Sequence, residues 1–283
     1  MKKVSVLMST YKEPVDWVKK SVESILKQTY SNIEFIVIID DPNNFEVIKY
    51  IRHCEKKDNR IKVIDNERNI GLVKSLNKGL QYCTGEYIAR MDADDIAEIN
   101  RIEEQISYIE KYGYDLIGAY MNIFNDKEKR AANKVCKTNW GCKKILNYEG
   151  TCFHPTWLVK RELYESLNGY RNIDSCEDYD FLIRAVCSNA RIGNIPKVLL
   201  NYRDNGDSIS HKNFNKQRLI ADSLASIYRK HQKCIDNEQY KKIYENIIEN
   251  YNETSIYLIE KRIYCKFIKI ADCILFKYIE KRN

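Results

Sequence analysis

The sequence predicts an α/β fold built on a mainly parallel central sheet, followed by a basic helical extension at the C-terminus. Three observations predict it. Through the first half, apolar runs of strand length alternate with segments whose apolar residues recur at helical spacing. Each of the first four strand-like runs is followed at once by a polar feature: Thr10-Tyr11, Asp40-Asp41, residues 66–69, and the carboxylates Asp92, Asp94 and Asp95. The charge, finally, is uneven. Residues 212–283 carry 15 Lys and Arg against 9 Asp and Glu, whereas residues 1–211 carry 32 against 31.

The elements follow in order. Residues 4–9 make a first strand, too short for a signal-peptide core and followed by Lys12 and Glu13. Pro14 suits a first helical turn, and Val15, Val18, Val22, Ile25 and Leu26 repeat at helical spacing up to a break near Thr29. Residues 33–39 are continuously apolar, as a strand buried on both faces should be. Phe45, Ile48 and Ile51 mark a second helix, residues 61–64 a short strand, and Leu72, Leu76, Leu80 and Cys83 a third helix that stops before Gly85. A fourth strand then runs into the acidic residues. Ile99, Ile102, Ile106 and Ile109 predict a helix beginning near Glu98, and residues 115–124 read as a strand after Gly113. Farther on, Phe181, Leu182, Ala185 and Val186 carry a helix whose first turn holds Glu177, Asp178 and Asp180.

Composition excludes several classes. With 44% hydrophobic residues, four Pro and ten Gly in 283 residues, the chain can bury a full core and is neither disordered nor collagen-like. Its ten cysteines show no Cys-x-x-Cys pair or zinc-finger spacing, and with no secretion signal read ahead of them they point to a reducing cytoplasm. The near-neutral body argues against a nucleic-acid enzyme. No Gly-x-Gly-x-x-Gly follows the first strand, and there is no Walker sequence, so a phosphate ligand would need some other hold.

The acidic run supplies one. In an open parallel sheet the carboxyl ends of the strands line a single crevice, so the four polar features should meet at one ligand. Two aspartates one residue apart at a strand end can direct oxygens at a hard divalent ion, with diphosphate oxygens and water completing its shell. The Asp-x-Asp pattern alone is weak evidence, since residues 178–180 repeat it and a solvated acidic turn capping a helix would look the same. Position after the fourth strand carries the argument.

The residues Val4-Ser5-Val6-Leu7-Met8-Ser9-Thr10-Tyr11, Gln28-Thr29-Tyr30, Asp40-Asp41, Asn69-Ile70-Gly71-Leu72 and Tyr87-Ile88-Ala89-Arg90-Met91-Asp92-Ala93-Asp94-Asp95 together resemble glycosyltransferase family 2, over residues 3–210. The resemblance implies the GT-A fold, a nucleotide-sugar-binding α/β sandwich, and transfer of a sugar from a nucleoside diphosphate with inversion at the anomeric carbon. It also implies roles. Thr10, Tyr11 and Glu13 match the loop bordering the nucleoside, and Asp41 the aspartate that reads the uracil edge, with Asp40 as the alternative. Arg68 and Asn69 match the stretch near base and diphosphate, Asp92 the ribose-side carboxylate, and Asp94 the ligand of Mn2+ or Mg2+. Asp178 matches the general base, Glu177 a group positioning acceptor hydroxyls, and His154 an acceptor-side residue. Asp180 reads as structural. The family's closing loop is matched by residues 202–210, but Asn205 stands where a histidine is frequent; His211 is a late candidate for a metal or phosphate contact, and Arg203 either approaches the diphosphate or braces the loop.

On this basis residues 1–211 form the catalytic domain, 1–125 its nucleotide-sugar half and 126–211 its acceptor half, with 212–283 as the extension. The expected reaction uses a UDP-hexose or UDP-N-acetylhexosamine and a saccharide acceptor, lipid-linked by analogy with bacterial surface-polysaccharide transferases. Residues 261–283 hold seven Lys and Arg against two Asp and Glu, with Ile263, Phe267, Ile270, Ile274 and Tyr278 at helical spacing. That helix either lies on an anionic membrane face, placing the enzyme peripherally on the inner side of the cytoplasmic membrane, or packs on the body or a partner. Lys266, Lys269 and Asp272 interrupt every candidate span. The rival readings are a glycoside hydrolase, with the Asp92 and Asp178 regions flanking a bond, and a non-catalytic nucleotide-sugar-binding module. A sugar-phosphate nucleotidyltransferase would need a glycine-rich loop after the first strand, and residues 9–13 contain no glycine.

Overall fold

The computed structural model describes residues 1–125, 129–130, 135–173, 175–204, 214–231 and 255–281, with isolated positions between 233 and 242. Strands β1 (Val4–Thr10), β2 (Ile33–Ile39), β3 (Ile61–Asp65) and β4 (Tyr87–Asp92) pair in parallel in the order β3-β2-β1-β4. The sheet continues through β8 (Leu158–Lys160), β6 (Leu116–Phe124), β9 (Ile192–Arg203) and β5 (Ile96–Ala97), with β7 (Lys129–Arg130) against β6. Here the directions mix. β8 runs antiparallel to both its neighbours, β6 and β9 are parallel to each other, and β5 is antiparallel to β9. The fold class expected from the sequence, α/β on a mainly parallel central sheet with helices at the C-terminus, is the one found.

Strand alternation explains the layers. Val4, Val6 and Met8 of β1 pack with Val18, Val22 and Ile25 of α1 (Val15–Leu26), Val47 and Ile51 of α2 (Phe45–Lys57) and Ile102 of α4 (Arg101–Tyr112). Leu7, between them, joins Ile36, Ile38 and Leu76 of α3 (Leu72–Leu80) on the opposite face. That second core extends through α5 (Asn139–Ile145), α6 (Arg161–Ser166), α7 (Glu177–Cys187), α8 (Phe214–His231) and α9 (Ser255–Glu280).

The helix expected near Glu98 starts instead at Arg101, because Ile96 and Ala97 are taken up as β5 against Asn201 and Leu200. Gln28 fixes the junction. Its side chain donates to the Ser24 and Glu98 carbonyls at 3.0 and 2.7 Å and accepts from the Ile102 N–H at 3.0 Å, so the end of α1 is stapled to the start of α4. The acidic residues 92–95 are thereby strung between two fixed strands.

Candidate active site

Parallel pairing of β1 to β4 puts Thr10, Asp40, Asn66 and Asp92 at one edge of the sheet. The first loop is braced by Glu13, whose Oε2 accepts from the Thr10 hydroxyl and the Tyr11 N–H, both at 2.7 Å. Thr10 is buried and Tyr11 projects outward with 39% of its surface exposed. Glu13 therefore shapes this loop, while Tyr11 carries its ring to the rim, where the Lys12 ammonium lies 4.9 Å from the ring centroid.

The two aspartates after β2 divide their work. Asp40 is buried and accepts four hydrogen bonds, from Asn66 Nδ2 (2.8 Å), Asn69 Nδ2 (2.9 Å), the Ile70 N–H (2.9 Å) and the Gly71 N–H (3.0 Å). A carboxylate so occupied has no lone pair left for a base edge. Gly71, at φ 85°, makes the left-handed turn that aims two of those N–H groups at it. Asp41 is half-buried, and one of its oxygens accepts from the Asn43 N–H at 3.0 Å. Asn69, expected near the diphosphate, spends its amide on Asp40; Arg68 is exposed and makes no hydrogen bond or ion pair among the described residues.

At the end of β4 the carboxylates crowd. Asp92 Oδ1 accepts from Arg90 Nη2 at 2.5 Å, and the Ser21 hydroxyl of α1 holds its backbone carbonyl at 2.9 Å. Asp95 is fully buried; its Oδ1 accepts the Arg203 N–H at 2.9 Å, and its Oδ2 has no hydrogen-bond partner among the described residues. Arg203 Nε donates to the Asp94 carbonyl at 3.0 Å, and its guanidinium lies between the rings of Trp17 and Phe124, 4.7 and 4.5 Å from their centroids. Of the two roles open to Arg203, these contacts make it the brace. Burial, with Asp92 and Glu13 alongside, pushes the Asp94 carboxyl up to about 7. Burial, with Asp92 and Asp94 alongside, raises Asp95 well above the carboxylate range.

This crowding fits a divalent cation in one respect and limits it in another. Negative charges pressed together without enough internal cations are stabilised by an external one. Among the described residues, however, no three His, Cys, Asp or Glu side chains converge in a ligand set. The donor set suits a metal held by one or two carboxylates, with the ligand's own phosphate oxygens completing the shell.

Later in the chain, α7 begins with Glu177 and Asp178. Asp178 Oδ1 accepts the Tyr179 N–H at 2.7 Å, and burial raises its pKa. Burial, Asp178 and Asp92 together push Glu177 up to about 7, while Arg90 opposes them. Glu177 thus responds to charges on β4, so the two halves of the chain share one electrostatic space. Asp94, Asp178 and His154 are each half-buried.

His154 accepts or donates at Nε2 to the Tyr170 hydroxyl at 2.8 Å, and Tyr170 meets the Tyr164 hydroxyl at 2.7 Å. Burial and the nearby Arg90 cation hold His154 neutral, its pKa well below the usual value. Asp180 is buried between Arg171 and Arg184, whose guanidinium also binds the Leu167 and Gly169 carbonyls, so its role is structural as expected. Asn205 and His211 lie outside the described residues.

One site residue escaped the sequence reading. Arg90 is 1% exposed, pairs with Asp92, and acts on Glu177 and His154 from beneath. Its signal was present: a cation inside an apolar strand is rarely buried without a specific partner.

A sequence model described as Glycosyl transferase family 2 matches residues 5–167, more than half of the chain. The chain belongs to glycosyltransferase family 2. Among relatives in this family, the O-antigen biosynthesis glycosyltransferase WbnJ of Escherichia coli is 30% identical over 241 residues, covering 80% of this chain and 94% of that protein. Two solved structures share the family 2 fold. S. aureus TarS residues 1–349 in complex with UDP-GlcNAc superposes with a TM-score of 0.64 at 19% identity, over 87% of this chain and 71% of that one. The mannosyltransferase PcManGT of Pyrobaculum calidifontis, in complex with GDP-Man and Mn2+, gives 0.61 at 12% identity, over 96% and 86%.

Proposed function

We propose that this family 2 glycosyltransferase is an inverting, metal-dependent enzyme that moves a hexose or N-acetylhexosamine from a UDP-sugar to a saccharide acceptor. The observation that supports the reading is that Asp92 and Arg90 of β4 act electrostatically on Glu177 at the start of α7. Residues 1–125 form the donor half, 126–211 the acceptor half, and 212–283 an extension. Thr10, Tyr11 and Glu13 border the nucleoside, Asp41 reads the uracil edge, Arg68 and Asn69 lie near base and diphosphate, and Asp92 lies on the ribose side.

Asp94 is the residue that would hold Mn2+ or Mg2+, which when bound supplies positive charge at the departing diphosphate. Asp178 accepts the proton from the acceptor hydroxyl as its oxygen bonds to the anomeric carbon and the bond to the diphosphate breaks. One displacement inverts that carbon, so one base suffices. A base with a raised pKa takes the proton more readily, and the burial of Asp178 provides the rise. Glu177 orients the acceptor hydroxyl beside it, and His154, held neutral, contacts the acceptor without adding charge. The O-antigen biosynthesis relative WbnJ supports a surface-polysaccharide role. In this reading the acceptor is lipid-linked and is met on the inner face of the cytoplasmic membrane.

Calorimetric titration with UDP and with GDP, each with Mn2+ and with chelator, tests this. Binding of UDP alone, dependent on Mn2+, is the expected result. Preference for GDP would overturn the donor assignment, and binding of neither would move the reading to a hydrolase.

A further inference from the structure

We propose that the outward face of α9 is the surface on which this protein docks to an anionic lipid bilayer, with the helix lying in the membrane plane. A helix packed on a globular body ordinarily turns apolar residues inward and charged ones to solvent. α9 does only half of this. Cys265, Ile268 and Asp272 are buried against the body, where Asp272 accepts from the Lys137 and Thr138 N–H groups at 2.7 and 3.0 Å, so the rotation of the helix is fixed. The opposite face is apolar. Ile263, Phe267, Ile270, Ile274 and Tyr278 are between 51% and 67% exposed, and their spacing places them on one stripe about 22 Å long.

The flanks say what covers the stripe. Arg262, Lys266, Lys277 and Lys281 are all exposed along the same helix and make no ion pair among the described residues, whereas Glu280, the exposed acid there, is engaged by the Tyr112 hydroxyl. Apolar side chains edged by cations match a bilayer surface, where the acyl boundary takes the former and anionic headgroups the latter. A second copy of this chain fits worse, since pairing the stripes would bring two basic edges together. Nor does the helix cross the membrane: among the described residues none is long and apolar enough to span it. The inference rests on the proposed function for its purpose, reaching a lipid-linked acceptor, and on α9 alone for its surface.

Flotation with vesicles of phosphatidylcholine, with and without phosphatidylglycerol, tests it on the full chain. The protein is expected to float with the anionic vesicles and to be released by high salt. Phe267→Glu with Ile274→Glu should lower the bound fraction at least tenfold, and Lys266→Glu with Lys277→Glu should do so on anionic vesicles. Both pairs are solvent-facing, and UDP calorimetry on each variant reports whether the donor site is intact. Equal binding to vesicles without phosphatidylglycerol, or binding untouched by either pair, overturns the proposal. So does a dimer in solution that the Phe267 and Ile274 changes disperse, without vesicle binding. Failure to float with UDP binding preserved removes the docking surface alone; flotation by a protein that binds no nucleotide removes the transferase reading alone.

Discussion

Asp40 and Asp41 are adjacent, identical in type, and equally plausible ligands in the sequence; only the three-dimensional path of residues 66–71 separates them. Asp40→Ala would strand four donors and should cost about 2–4 kcal/mol in urea denaturation. Asp41→Ala should leave stability within about 0.5 kcal/mol while weakening UDP binding roughly tenfold. The reverse pattern would exchange their roles. Glu177 carries a pH-dependent prediction. Its folded pKa, about 7, lies above its ordinary 4.5, so the native state binds the extra proton between those values and Glu177 costs stability as pH rises from 4.5 through 7. Glu177→Gln should therefore stabilise the donor-free protein by on the order of 2 kcal/mol at pH 8 and by nearly nothing at pH 4. Equal melting shifts at both pH values would contradict this. The acidic run, the Glu177-Asp178 pair and the four polar strand ends were legible because local sequence marks where a strand stops. The partner of Asp95 was not, because Arg203 reaches it through tertiary packing, whereas Arg90 lies two residues before Asp92 on the same face of β4.

At the scale of elements, β1 to β4 and α1 to α3 announced themselves by unbroken apolar runs and helical spacing. β5 did not. Two residues carry no periodicity, and Ile96-Ala97 is a strand only because Asn201 and Leu200 lie beside it. The tail was legible as a helix but its orientation was not, since Asp272 looks like an interruption of an apolar segment and proves to be its buried anchor. It accepts from the Thr138 N–H across 134 residues of sequence and so helps cap α5, whose N-cap Thr138 in turn accepts from Gly141. Gly141 has no side chain because a Cβ there would meet the Asp272 carboxylate at 2.2 Å. Asp272→Ala is expected to lose about 2–4 kcal/mol, leaving the buried Thr138 N–H and the half-buried Lys137 N–H unpaired. A change under about 0.5 kcal/mol would mean that α9 is not fastened to the body at this point.

For the whole molecule, the proposed function separates holding the donor from activating the acceptor. Asp94 follows β4, and Asp178 opens α7, on a part of the chain reached after the sheet has changed direction at β8. The two groups belong to different packing units, Met91 and Ala93 to one core and Cys176 and Tyr179 to the other, so altering one need not distort the other. Binding and turnover should therefore fail independently. Asp94→Asn is expected to abolish the Mn2+-dependent part of UDP binding and, with it, transfer. Asp178→Asn should bind UDP within about twofold of the parent protein while transfer falls by about 10²–10⁴-fold, the range that removing a general base spans. Single-turnover assays with excess enzyme would separate the two, because saturating donor restores nothing to the Asp178 variant. If that variant instead loses donor affinity in proportion to its rate, Asp178 is a donor ligand, and the base must be sought at Glu177.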